Sequence, residues 1–395
     1  MIIPTRERCE TLGASIRTCV EQDYDNLEII VSDNASQDDT EAVVHSFSDP
    51  RLRYIKTDRR LGMTGNFEFA LGHAKPGYII FIGDDDGLMP GSAATVADLV
   101  KQSGAEAIAS YSAHYAWPNH LNEKARNRLY FDKMDRKIEY KDARAEMAML
   151  ISFCRGAAVH YLQLATIYHG FVSSDVIERA KRHGRYFHSI NPDIYAALAN
   201  SLLVGKFLRL HQPLTVEGAS GRSTGASSSS GIDSTAESRF LAENDLPFSP
   251  DLVYAPSLQI LIAEAYLQVR SRFPDACKDH DFSIARVCGV ALRGISGPNK
   301  GRITQAVNEI LAKHNVAAVD PATLFSPANA AWRRLVDAVT GGEVDCETFG
   351  VHDVYQASLL AHHLLTLRNE GGVSCGVSRA ASRVLSKLGM KIDQG

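Results

Sequence analysis

The chain has 395 residues, a formal charge of −4, 45% hydrophobic and 22% charged residues. It is longer than one typical domain, can bury a sizeable core, and has the composition of an ordinary globular protein rather than a disordered or fibrous one. The net negative charge argues against a nucleic-acid partner, which would need a basic face. Seven scattered cysteines without a C-x-x-C pair indicate neither a zinc ribbon nor a disulfide framework, and they fit a reducing cytoplasm. The opening apolar run is too short for a signal peptide, and no stretch of about 18 apolar residues could span a bilayer. A cytoplasmic chain is expected, with peripheral contact at the inner face of a membrane left open.

Ile2 and Ile3 begin a first strand, and Cys9 to Val20 reads as a helix. A second strand covers Leu27 to Val31, followed by a helix from Asp38 to Phe47 that opens on Ser36-Gln37-Asp38-Asp39, a cap residue and carboxylates suited to a helix N-terminus. Leu52 to Ile55 is a third strand, a helix follows Gly62, and Tyr78 to Ile82 is the most apolar strand and hence the expected centre of the sheet. This alternation predicts βαβ units on a mostly parallel sheet.

From Ala105 to Val216 aromatics and histidines become frequent, as in a substrate-facing half. The Gly/Ser-rich stretch from Gly218 to Gly231 cannot pack a core and reads as a flexible loop or linker. Beyond it the periodicity is helical: Leu258, Leu261, Ile262, Ala265 and Val269 share a face, and further helices are expected over Arg302–His314, Pro327–Val339, Val354–Arg368 and Ser378–Leu388. The expected organisation is a domain over 1–217 with halves 1–104 and 105–217, a linker over 218–237, and an all-helical domain over 238–395.

The strongest chemical feature is Ile79-Ile80-Phe81-Ile82-Gly83-Asp84-Asp85-Asp86-Gly87-Leu88-Met89-Pro90, three carboxylates at the C-terminal end of a buried strand, where open α/β sheets bind ligands. Three like charges together need a cation or several donors, and hard oxygen ligands suit Mg²⁺ or Mn²⁺ bridging a diphosphate. A solvated turn of capping aspartates is the plain alternative.

These residues resemble glycosyltransferase family 2, of GT-A fold. Ile3-Pro4-Thr5-Arg6-Glu7-Arg8 resembles the family's first strand and turn, Val31 to Thr40 its second, and the acidic triplet its D-x-D element. The resemblance covers about the first 105 residues. It implies a Rossmann-like α/β domain and a transferase that moves a sugar, with inversion, from a UDP-, dTDP- or GDP-linked donor to a hydroxyl acceptor, as in bacterial polysaccharide, glycolipid or glycoside synthesis.

By position, Pro4, Thr5, Arg6 and Asp33 inherit contacts to base and ribose, although the family's Thr-x-Asn-Arg reads Thr5-Arg6-Glu7-Arg8 here. Arg60 and Asn66 lie in a glycine-containing helix entry that flanks the donor site in the family. Asp86 is favoured as metal ligand and Asp84 as ribose or metal contact, with Asp85 interchangeable. Asp193, in Asn191-Pro192-Asp193, stands about 100 residues after the triplet, where the family carries its base, with Pro192 replacing an acid. As a helix N-terminal residue it is expected to have a lowered pKa. Tyr168 and His169 fall where relatives wall the sugar pocket; Ser220, Arg222, Ser223 and Thr224 form a polar loop suited to closing over a diphosphate. No histidine stands at the family's distance after Leu214, which leaves the third metal ligand open. That gap and Pro192 motivate an alternative, a nucleotide-sugar-binding protein without turnover; a sugar nucleotidyltransferase is a third reading, though the first turn lacks a glycine-rich loop with a basic tail. The helical tail leaves homodimerisation open.

Overall fold

A computed structural model describes residues 1–153, 160–223, 234–293, 295, 297–320 and 342–369. The strand–helix alternation is present: β1 (Ile2–Thr5), α1 (Cys9–Val20), β2 (Ile29–Asp33), α2 (Thr40–His45), β3 (Leu52–Lys56), α3 (Met63–Leu71) and β4 (Tyr78–Ile79). β1 pairs in parallel with β2, and β2 with β3. The apolar Ile80–Ile82 run is central as expected, because Phe81 bridges Ile2 on one side and Tyr168 on the other, both in parallel. Ile2, Ile3, Ile29, Ile30, Val31 and Phe81 are buried, since both faces of the sheet are covered by helices.

After β5 (Gly87–Leu88) and α4 (Ser92–Ser103) come β6 (Ala107–Ser110), β7 (Ala113–Ala116), β8 (Arg128–Phe131), β9 (Ile138–Asp142), α5 (Ala143–Ile151), β10 (Phe171–Ser173), α6 (Ser174–Lys181), α7 (Pro192–Leu203), β11 (Lys206–Leu210) and β12 (Thr215–Ala219). The sheet continues β4-β10-β6-β11-β9 and is mixed here, with β6 and β11 parallel and the outer pairs antiparallel. A second sheet has the order β13-β8-β7-β12-β5, where β13 is Gly342–Asp345. The fold is α/β, with β1, β2 and β3 parallel where the sequence places the βαβ units and further parallel pairs at β6–β11 and β7–β12.

Past the Gly/Ser stretch the chain is helical: α8 (Ser234–Glu243), α9 (Leu258–Arg272), α10 (Pro274–Cys277), α11 (Ile284–Leu292), α12 (Lys300–His314) and α13 (Val354–Asn369). This part is helical as expected, and two observations tie it to the rest of the chain. β13 adds to the second sheet by pairing with β8. In addition, one continuous core joins Met147, Leu150, Ile194 and Leu198 to Ile260, Ala263, Val287 and Ile310, while another joins Tyr115, Trp117, Leu129 and Val216 to Phe349, Val354, Leu360 and Leu365. α9 is buried on most of its circumference, Glu264 included, because α7 and α11 cover it. The expected helices at Pro327–Val339 and Ser378–Leu388, and residues 224–233 of the Gly/Ser stretch, lie outside the described residues.

Candidate active site

β1, β2 and the Phe81 segment run parallel and end together, so Thr5, Asp33 and the acidic triplet share the carboxyl edge of the sheet. Asp84, Asp85 and Asp86 are 3%, 4% and 1% exposed, so they form no solvated turn. Each is neutralised differently. Thr5 donates its hydroxyl to Asp84 Oδ2 at 2.7 Å, and Arg8 Nη1 reaches Asp84 Oδ1 at 2.8 Å and Asp85 Oδ1 at 3.9 Å. Asp85 Oδ2 accepts from the Ser220 amide at 3.2 Å, the Ser220 hydroxyl at 2.6 Å and the Ser223 hydroxyl.

Asp86 is the most enclosed. Its Oδ2 accepts from the Gly83 amide at 2.6 Å and the Tyr168 hydroxyl at 2.8 Å, its Oδ1 from the Gly218 amide at 2.7 Å, and His169 Nε2 lies 3.0 Å from Oδ2. Two glycines make this clasp. A Cβ on Gly83 would sit 2.8 Å from Asp86 Oδ2, and one on Gly218 would sit 1.7 Å from the Asp85 carbonyl oxygen, so β12 can approach the triplet only where it has no side chain. Trp117 Nε1 donates to that same carbonyl at 3.0 Å.

Burial, then the Asp86 charge, push the Asp85 carboxyl up to about 6, against the pull of Arg8. Burial would lower the Arg8 guanidinium, but Asp84 and Asp85 hold it above its usual range. Asp193, on the first turn of α7, corrects a sequence expectation: burial raises its pKa, and this outweighs the Tyr161 hydroxyl, the backbone N–H groups of the helix start and the His169 ring that all favour its charged form. The helix N-terminus acts in the expected sense but is the weaker effect.

His169 joins these parts electrostatically. It is buried at 1% exposure, sits at φ +59°, a strained value for a histidine, and responds to Asp86, Glu217 and His114 as well as acting on Asp193. Burial lowers its pKa, but the Asp86 charge raises it overall. Glu217, half-buried beside Gly218, pairs with His114 Nδ1 at 3.1 Å, while His114 Nε2 lies 3.0 Å from Asp132. Burial works against both charges, yet the pair and Asp132 set His114 at about 10 and Glu217 at about 2.

The other expected site residues divide clearly. Asp33 is fully buried; its Oδ2 accepts from the Tyr54 hydroxyl at 2.6 Å and its Oδ1 from the Ser36 amide at 2.8 Å, the latter an Asx-type turn. Pro4 lies within β1, paired with Ser32. Arg6 pairs with Glu243 and Arg60 with Glu7, each at the rim. Asn66 is inside, accepting from the Ser32 hydroxyl at 2.9 Å. Tyr168 and His169 turn their polar atoms onto Asp86, not a ring face outward. Ser220 caps Asp85, whereas Arg222 donates to the Glu7 carbonyl at 3.0 Å. Sequence reading passed over Arg8, Trp117, Tyr161, His114 and Glu217, because their partners are 32 to 214 residues away or on another strand.

Among the described residues no three His, Cys, Asp or Glu side chains are grouped to encage an ion. Asp84 and Asp85 nevertheless suit a hard divalent cation, because such ions are commonly held by one or two carboxylates and completed by substrate phosphates and water. Asp86, with both oxygens engaged by main-chain and tyrosine donors, suits a supporting place better than a ligand's.

Comparison with known proteins gives the same outline. Residues 1–162 match the model of "Glycosyl transferase family 2". A Campylobacter jejuni GalNAc(5)-diNAcBac-PP-undecaprenol beta-1,3-glucosyltransferase is 36% identical over 99 residues, 24% of this chain and 32% of its own length. An Escherichia coli UDP-Glc:alpha-D-GlcNAc-diphosphoundecaprenol beta-1,3-glucosyltransferase is 36% identical over 77 residues, 20% of this chain and 31% of its own. The chain thus spans about a third of the length of these curated relatives. Among solved structures, S. aureus TarS 1-349 in complex with UDP-GlcNAc superposes with a TM-score of 0.43 at 15% identity, covering 79% of this chain and 82% of that one. The segment that matches glycosyl transferase family 2, residues 1–162, is the one that holds the acidic triplet.

Proposed function

We propose that the protein is a metal-dependent, inverting glycosyltransferase that moves a sugar from a nucleoside-diphosphate sugar to a hydroxyl of a lipid-diphosphate-linked acceptor in bacterial glycan assembly. The observation that carries this is the buried, donor-rimmed carboxylate triplet at the sheet edge of the family-matched segment, with the half-buried Asp193 carboxyl electrostatically linked to it through His169. The acceptor class is carried over from the names of the two relatives, and a UDP-sugar is the donor to test first because the name of the Escherichia coli relative prints UDP-Glc.

Thr5, Asp33 and the adjoining Pro4 and Arg6 line the edge where a base and ribose would lie. Asp84 and Asp85 would hold Mn²⁺ or Mg²⁺, which when bound stabilises the negative charge of a departing nucleoside diphosphate. Asp86 braces them by fixing Gly83, Gly218 and Tyr168. Asp193 takes the proton of the attacking acceptor hydroxyl; its raised pKa makes it a better base than an ordinary aspartate. No helix among the described residues is long and apolar enough to cross a membrane, so work on a lipid-linked acceptor would take place at the membrane surface.

The test is release of nucleoside diphosphate from UDP-, dTDP- and GDP-sugars with Mn²⁺, with and without a polyprenyl-diphosphate-linked sugar. Acceptor-stimulated release with one donor is expected, and Asp193→Asn should lower it by about 10²-fold or more. Binding of the donor with no release would support the alternative of a non-catalytic binding protein, and conversion of the sugar nucleotide to nucleoside triphosphate and sugar 1-phosphate on addition of pyrophosphate would indicate nucleotidyl transfer instead.

A further inference from the structure

We infer that Arg8 is the resident counter-ion of the carboxylate pair and that a divalent cation must displace it to bind. This rests on the reading of Asp84 and Asp85 as the cation-binding pair.

Arg8 stands immediately before α1, and its side chain is only 19% exposed. Its Nη1 lies 2.8 Å from Asp84 Oδ1 and 3.9 Å from Asp85 Oδ1, so one guanidinium nitrogen faces an oxygen of each carboxylate. Its Nη2 donates to the Arg222 carbonyl, and Arg222 in turn donates to the Glu7 carbonyl, which latches the turn carrying Ser220 and Ser223 against the loop after β1. The positive charge that faces the pair thus belongs to the protein itself.

Charge explains why this is exclusive. Asp84 and Asp85 are almost fully buried beside Asp86, and without a positive partner they would repel one another in a poorly screened environment. A divalent ion touching the same two oxygens would come within a few ångströms of the guanidinium, and like charges at that separation disfavour joint occupancy. Arg8 thus keeps the pair ordered before an ion arrives and competes with that ion for it. The contacts of Arg8 are made by its side chain, whereas Asp86 is held by two main-chain amides.

The experiment is Mn²⁺ binding to the nucleotide-free chain of residues 1–395 at low ionic strength, followed by the electron paramagnetic resonance signal of free Mn²⁺. Arg8→Ala should bind at least about five-fold more tightly than wild type, Arg8→Lys should fall between them, and adding Asp85→Asn to Arg8→Ala should remove the gain. Thermal melts give a second readout: Arg8→Ala should melt below wild type without metal and gain more from saturating Mn²⁺. Arg8→Gln, neutral and similar in length, replaces Arg8→Ala should the latter not fold. Equal or weaker Mn²⁺ binding by a folded neutral variant overturns the inference, as does absence of Mn²⁺ binding in both wild type and variant. Sugar-nucleotide turnover by wild type separates the two ideas: turnover with unchanged Mn²⁺ affinity sinks only the competition, and tighter Mn²⁺ binding without turnover sinks only the transfer reading.

Discussion

Three adjacent aspartates carry three different environments, and their variants should separate accordingly. Asp86→Ala strips partners from the Gly83 and Gly218 amides and the Tyr168 hydroxyl. At about 1–3 kcal/mol for a buried donor left unpaired, the loss should reach about 3 kcal/mol and appear in a denaturant melt. Asp85 has another signature. Its carboxyl titrates at about 6, chiefly through burial and then Asp86, so Mn²⁺ affinity should climb as pH rises through about 6 and level off above it. The linkage to stability has the opposite sense: with a folded pKa above the ordinary 3.8, this group's contribution is full below 3.8 and is lost as pH rises through about 6. For Asp193, also raised, the acid limb of a kcat/KM profile should lie above the usual aspartate range, and Asp193→Asn should remove that limb together with the activity.

Among elements, β12 decides whether the site forms. Its pairing with β7 and β5 brings Gly218 against the Asp85 carbonyl and Ser220 over the Asp85 side chain. Gly218→Ala should cost about 1–3 kcal/mol or more in overpacking, with loss of activity, because its Cβ would meet backbone and not a flexible side chain. Gly205→Ala, at the turn into β11 with nothing within 4 Å of the added Cβ, is the control and should melt like wild type. Equal behaviour of the two in thermal melts would contradict the close approach of β12 to the triplet.

The molecule as a whole closes by returning its C-terminal part to the sheet that flanks the site. α13 packs against α1 and β12, and Val354, Leu360 and Leu365 share a core with Tyr115, Trp117 and Val216. Trp117 is also the donor to Asp85, so this core bears directly on the triplet. Leu360, fully buried, should cost about 2–5 kcal/mol when changed to Ala. A chain ending at residue 341, lacking β13 and α13, should show a lower melting temperature and bind a hydrophobic dye; an unchanged melt would show that the return is dispensable.

What the sequence by itself determined is local. Period-two and period-3.6 patterns place β1 to β3 and α1 to within a few residues, the apolar Tyr78–Ile82 run announces the centre of the sheet, and Gly83-Asp84-Asp85-Asp86 at its end marks the candidate site, since these signals lie between near neighbours. The tertiary structure alone decided which oxygens of the triplet are spoken for, because the donors to Asp86 come from Gly83, Tyr168 and Gly218 and the cation facing Asp84 comes from Arg8. It also decided the sign of the shift at Asp193, where burial by distant segments exceeds the local helix start, and it joined the helical tail to the main cores. Such long-range packing leaves no period in the chain from which it could be read.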